Sequence, residues 1–215
     1  MLSVVLIVWV CWIALGSCLR GPRLVAELER AHALPFSPAD LPKPRLCALL
    51  VVQDPTFYRH QGIGLADGHL GHTTLTQSVG KGLFFERFDP GPFHLGKIEL
   101  MIAAWGFDRS VPKTTQLRVY LNRTYFGITE GHAVVGFPSA ASTFFGKSLN
   151  ALADREYFSL LAMLDAPERY HVVREREANA ARVRMIERQV QDRCGSGCFE
   201  GDLPVPCNAS DGGGR

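Results

Sequence analysis

A chain of 215 residues with 47% hydrophobic side chains is long enough for one well-buried domain and a short additional element. Its formal net charge of +2, with Lys and Arg scattered along the chain, excludes the broad basic surface that sequence-independent nucleic-acid binding requires. Any anionic ligand must be held by a local cluster, and nucleic acid is not expected as a partner.

In chain order, Leu2–Leu19 comes first, an uncharged apolar run that contains Trp9 and Trp12. A bilayer span takes about 20 apolar residues, so the run sits at the lower edge of that length. Three readings compete. A single-pass anchor is favoured because the run exceeds a usual signal-peptide core. A lipoprotein signal is second, because Leu15-Gly16-Ser17-Cys18 resembles a lipobox that would place a lipid on Cys18. A cleaved secretory signal is third, disfavoured because no basic residue precedes the run. Residues 20–46 then read as a connector closed by Pro35, Pro38, Pro42 and Pro44, and residues 47–192 as one continuous globular domain. Residues 193–215 form a Gly-, Pro- and Cys-containing tail, expected to be partly disordered.

Within the domain the hydrophobic period is helical. Lys97–Gly106 is almost wholly apolar and predicts a buried helix. Thr114–Asn122 carries Leu117, Tyr120 and Leu121 on one face. Asp154–Leu164 opens on a capable N-cap and stops before Pro167. Glu175–Asp192 predicts a long charged helix with Ala178, Ala181, Met185 and Ile186 as its seam. Strand-like alternation is scarce, so the fold class is mostly α.

The cysteines speak weakly. Cys11 and Cys18 lie in the apolar run as small hydrophobes, while Cys47, Cys194, Cys198 and Cys207 fall outside it. Cys194 with either Cys198 or Cys207 could staple the tail in an oxidising compartment, and the Cys-x3-Cys spacing without a nearby histidine argues against zinc. This usage is compatible with export.

Two stretches carry the chemistry. The first, Gln53-Asp54-Pro55-Thr56-Phe57-Tyr58-Arg59-His60-Gln61-Gly62, sets an acid, an aromatic ring and an imidazole at fixed spacing. The second, Gly71-His72-Thr73-Thr74-Leu75-Thr76-Gln77-Ser78-Val79-Gly80-Lys81, gathers hydroxyls, an amide and an ammonium, which suits a diphosphate-sugar ligand. In tandem they resemble the active-site motifs of the peptidoglycan glycosyltransferases (glycosyltransferase family 51), in particular the monofunctional biosynthetic transglycosylase type. In the first stretch every element of the family pattern Glu-Asp-x-x-Phe-x-x-His-x-Gly is present except the leading glutamate, which is Gln53. In the second, Gly71, Thr74, Thr76, Gln77 and Lys81 agree with the family, while His72, Thr73, Ser78 and Gly82 depart.

Further on, Lys97-Ile98-Glu99-Leu100 resembles the family's Lys-x-x-Glu helix, with Leu100 at the glutamate position and Glu99 one residue away. Tyr120-Leu121-Asn122 with Tyr125-Phe126-Gly127, and Ala140-Ala141 with Phe144-Phe145-Gly146-Lys147, resemble two more family segments; Pro138 stands at a third family glutamate. Arg87 either matches a family arginine that helps hold phosphates or is an exposed loop residue.

The resemblance, which runs from about Cys47 to Asp192, implies a lysozyme-like, mostly helical domain behind an N-terminal anchor. It implies lipid II and the nascent glycan strand as ligands, the membrane as platform, and other cell-wall synthases as partners. It also implies a domain on the outer face of a bacterial cytoplasmic membrane. Arg20, Arg23, Lys43 and Arg45, which follow the apolar run, favour the opposite orientation by the positive-inside rule. No cofactor is implied; a divalent cation assists some members, though the sequence offers no dedicated cage for one. Phe57, His60, Thr74, Gln77, Lys81, Arg87 and Lys97 fall at substrate-binding positions, and Gln53 at the base position. Asp54, Asp67 and Glu99 are the carboxylates that could stand in for the missing base. A catalytically inactive binding or scaffolding protein is the alternative to an enzyme.

Overall fold

In a computed structural model, α1 is one uninterrupted helix, Leu2–Arg30, that passes the position where the apolar run ends at Leu19. The structure describes residues 2–64, 73–86, 88–91 and 94–194. The calls for Asp67, Gly71, His72, Arg87, Cys198 and Cys207 therefore lie outside the described residues. Among those described there are eight α-helices and one two-stranded sheet, so the chain is mostly helical, as its period predicts. It divides into two compact units, Met1–Pro35 with Thr56–Tyr120, and Phe36–Pro55 with Leu121–Arg215.

The first unit is built on α1, α3 (Leu75–Phe84) and α4 (Leu95–Ser110). The stop at Arg30 has a local cause. His32 takes a left-handed conformation (φ +52°), its N–H donates to the Glu29 carbonyl, and the Ala33 N–H donates back to Leu28, closing the last turn. The inner half of α1 buries Ala14, Ser17, Gly21 and Val25 on one face, which packs on α4. The contact is close because Gly106 has no side chain: a Cβ there would lie 2.1 Å from the Ala14 carbonyl oxygen and 2.3 Å from Ser17 Oγ. Phe107, fully buried, meets Phe84 of α3 edge to face at 5.7 Å. The expectation that Lys97–Gly106 is a buried helix is corrected: α4 is buried on one face only. Leu100, Ala103, Ala104 and Phe107 face the core, whereas Leu95, Ile98 and Trp105 stay exposed.

The second unit holds α2 (Lys43–Gln53), α6 (Phe137–Phe145), α7 (Asp154–Met163) and α8 (Arg176–Cys194). The chain enters it within α5 (Lys113–Arg123) and then forms a hairpin that the sequence reading did not contain, β1 (Tyr125–Thr129) and β2 (His132–Val135). Its core joins Phe126, Phe137 and Tyr157, with ring centroids 4.9 and 6.2 Å apart along that series. Asn122, which ends the Tyr-Leu-Asn segment, donates to the Phe36 carbonyl (2.8 Å) and accepts from the Phe36 N–H (3.0 Å). This reciprocal pair satisfies a loop backbone as a neighbouring strand would.

On α8 the expected seam is corrected. Ile186 is buried as expected and Ala178 half-buried, but Met185 and Ala181 are exposed, and Asn179 and Val183 complete the buried face. Asn179 can face inward because its amide donates to the Ser159 and Tyr170 carbonyls, at 3.0 and 2.8 Å.

Candidate functional site

The site residues on the first unit gather where the Phe57–Gly62 turn meets the start of α3. Thr74 is the N-cap of α3, and its Oγ accepts the Gln77 N–H at 3.1 Å. The same hydroxyl donates to the Gly62 carbonyl at 2.8 Å, and Gln77 Nε2 reaches that carbonyl at 3.5 Å. The two sequence motifs are thus joined through one backbone oxygen. Gly62 can serve because it is Gly: φ is +81°, and a Cβ would lie 2.5 Å from the Ala104 carbonyl oxygen of α4.

Within the turn, the Gly62 N–H donates to His60 Nδ1 at 3.0 Å, which leaves the proton of a neutral ring on Nε2. Phe57 is buried, edge to face with Tyr58 at 4.9 Å and His60 at 6.2 Å. Burial pushes the Tyr58 phenol above its ordinary value, so it stays neutral. Gln77 is itself buried, and its Oε1 has no hydrogen-bond partner among the described residues.

Below the turn lies a polar cluster that sequence reading missed. Lys113 Nζ is 2.6 Å from Asp108 Oδ1, 3.4 Å from Thr76 Oγ and 4.6 Å from the Phe57 ring centroid. Thr76 donates to Gln116 Oε1 (2.7 Å), and Gln116 Nε2 donates to Asp108 (3.0 Å) and to the Val111 carbonyl (2.8 Å). Its four members come from three helices, 40 positions apart at the extreme, so no window of sequence displays them together.

Lys81 is exposed, one turn beyond Gln77 on α3, with its Nζ 5.0 Å from the Phe88 ring centroid. Lys97 and Glu99 are half-buried on α4, while Leu100, at the family's glutamate position, is a core residue only 3% exposed. A step of one residue along a helix turns a side chain by about 100°, so Glu99 projects from a different face of α4 than Leu100.

On the second unit, Gln53 is the last residue of α2 and half-buried, and Asp54 is the C-cap. Asp54 is buried, and its N–H donates to the Leu50 carbonyl at 2.8 Å. Gln189 of α8 satisfies the Val51 carbonyl at 3.0 Å, which fixes the end of α2. Pro138 is half-buried in the first turn of α6.

As to a divalent cation, no three His, Cys, Asp or Glu side chains converge among the described residues, and Asp108 is already paired with Lys113. Among the described residues, this arrangement does not fit an ion held by the protein alone.

Residues 22–191 match the family model described as Transglycosylase. The chain belongs to the transglycosylase family. Among relatives of this transglycosylase chain, penicillin-binding protein 1F of Bacillus subtilis is 30% identical over 171 residues, 74% of this chain and 23% of its own. Penicillin-binding protein 1B of Buchnera aphidicola (from Acyrthosiphon pisum) is 31% identical over 165 residues, 69% of this chain and 21% of its own. A Cupriavidus necator protein named "Putative transglycosylase H16_A0665" is 26% identical over 200 residues, 86% of this chain and 84% of its own. The transglycosylase chain thus spans under a quarter of the penicillin-binding relatives and most of the third protein.

Proposed function

We propose that this transglycosylase-family chain is a membrane-anchored, peptidoglycan glycosyltransferase-type protein that binds lipid II and the nascent glycan strand, with its turnover impaired by the residue at position 53. The observation that carries this reading is the Thr74–Gly62–Gln77 junction: family-matching residues of both motifs are kept and held together by hydrogen bonds. The supporting context is the family match and an apolar α1 long enough to cross a bilayer.

Glycosyl transfer needs a base for a weakly acidic sugar hydroxyl, and cationic or hydrogen-bonding groups for the departing diphosphate. In this reading Thr74, Gln77, Lys81, Arg87 and Lys97 serve the diphosphate and sugar, and Phe57 and His60 shape the turn beside them. The base is what is lacking. The Gln53 amide has no protonatable lone pair at neutral pH, and a lost general base costs about 10²–10⁴ in rate.

A second reading, a binding or scaffolding protein without turnover that meets other cell-wall synthases, is favoured by Leu100. A side chain that deep in the core marks the second acidic position as given over to packing. Both readings require ligand binding. Full-length protein in detergent should bind lipid II or a phosphoglycolipid of the moenomycin type, and Gln77→Ala should weaken that binding about tenfold, the loss of one charge-assisted hydrogen bond. Absence of binding by the unmodified chain would contradict both.

A further inference from the structure

We propose that His171 is a pH-sensitive latch on the second unit. Its neutral ring holds the turn ahead of α8 closed against β1, and a proton on that ring opens the turn and loosens the hairpin. The latch goes beyond the function proposed above and is independent of lipid II binding and of turnover.

The chain between α7 and α8 turns back just before Arg176, and the N–H groups of that turn need acceptors. His171 provides them. Its Nδ1 accepts the Val173 N–H at 3.2 Å and the Arg174 N–H at 3.3 Å, while its carbonyl accepts the Glu175 N–H at 2.8 Å. A side chain that accepts from the N–H groups two and three residues ahead is ordinarily Asn, Asp, Ser or Thr. An imidazole in that role differs in one respect. With Nδ1 accepting, the proton of the neutral ring sits on Nε2, 3.4 Å from Thr129 Oγ of β1. A second proton has only Nδ1 to bind, and there it meets two N–H donors head-on. Both backbone groups then lose their acceptor, and the ring has to leave its seat.

The same turn is what β1 rests on. Gly127 lies flat against it: a Cβ there would be 3.2 Å from Glu168 Oε1, 3.5 Å from Pro167 Cβ and 4.0 Å from His171 Cδ2. Arg174 Nη2 donates to the Ile128 carbonyl at 3.4 Å and to Glu168 at 2.7 Å. The Phe144 ring of α6 meets the imidazole edge to face at 5.2 Å. Opening the turn therefore withdraws the contacts to Gly127, Ile128 and Thr129 together. What β1 and α6 place against the ring (Gly127, Thr129 and Phe144) carries no charge. The charges that act on it are Arg174, which opposes a proton, and Glu168 and Glu175, which favour one. His171 is only 2% exposed, and its burial outweighs the two carboxylates and holds its pKa below the ordinary 6.5. The latch is thus closed above about pH 6.5 and opens as pH falls below it.

Hydrogen exchange of the full-length protein in detergent reads this directly, at pH 7.5 and pH 5.5 and corrected for the intrinsic rate at each pH. In peptides covering residues 170–176 the corrected exchange should rise by up to about tenfold at the lower pH. Peptides covering the hairpin, residues 125–135, should rise with it, while those from the core of α7, residues 157–163, should not change. His171→Asn keeps a side-chain acceptor for the same two N–H groups and has no nitrogen that titrates here, so its exchange should be the same at both pH values. No rise over 170–176, a rise shared equally by 157–163, or a full rise retained in His171→Asn would each overturn the latch. A rise over 170–176 with a static hairpin would overturn its hold on β1. The comparison of the three regions in the parent decides the matter even where the variant does not fold.

Discussion

The Thr74 hydroxyl donates to the Gly62 carbonyl at 2.8 Å while accepting the Gln77 N–H at 3.1 Å. One side chain therefore caps a helix and fastens the turn that precedes it by 12 residues. Removing it should cost both functions. Thr74→Ala is expected to destabilise the folded chain by about 1–2 kcal/mol, read as a lower denaturant midpoint in detergent, whereas Thr74→Ser should stay close to the parent. An unchanged midpoint for Thr74→Ala would mean the junction contributes nothing.

Gly62 tolerates no side chain on two separate grounds, its φ of +81° and the Ala104 carbonyl 2.5 Å from a would-be Cβ. Gly62→Ala should cost more than the roughly 1–3 kcal/mol of backbone strain alone and leave little folded protein. Size-exclusion yield and thermal melting report it; a monodisperse variant that melts with the parent would refute this.

The Asp108–Lys113 pair is largely shielded, with side chains 8% and 18% exposed. Lys113→Met alone leaves the Asp108 carboxylate uncompensated and should cost about 3–5 kcal/mol. The double variant Asp108→Asn/Lys113→Met should be less destabilised than Lys113→Met. Simple additivity of the two single changes in a double-mutant cycle would show that the pair is not coupled.

His171, buried on the second unit, accepts the Val173 and Arg174 N–H groups at Nδ1 (3.2 and 3.3 Å) and has Nε2 3.4 Å from Thr129 Oγ. Desolvation, and then the charge of Arg174, hold its pKa below the ordinary 6.5, while Glu168 and Glu175 pull the other way. A histidine with a lowered native value binds its proton in the unfolded chain first. Stability is therefore full above about pH 6.5 and falls as pH drops through that value towards the native pKa, by at most about 1.4 kcal/mol per pH unit. Unfolding midpoints at pH 8 and pH 5 should differ, and His171→Gln should narrow the difference. Equal slopes for parent and variant would exclude His171 as the source.

Much of the fold was legible because the apolar period of α4, α5 and α7 is strong and uninterrupted. What escaped has physical reasons. On α8 two seams compete a few residues apart, and a reading that keeps Asn outside prefers Ala178–Met185 to the true face, whose Asn179 is paid for by two carbonyls. The β1–β2 hairpin is two short strands broken by Gly127 and turned at Glu130-Gly131, with no run of alternation long enough to show. At the site, local motifs pointed to Thr74, Gln77, Phe57 and His60, which the fold does bring into one junction or the turn beside it. The Thr76–Asp108–Lys113–Gln116 cluster was illegible because it exists only after α3, α4 and α5 pack.

The most direct test of the central claim is lipid II polymerisation by the full-length protein in detergent, run beside Gln53→Glu. The account predicts little or no glycan from the parent and a rate higher by about 10²–10⁴ in the variant, the usual worth of a general base. Parent activity equal to that of Gln53→Glu would contradict it, because a different group would then be taking the acceptor's proton.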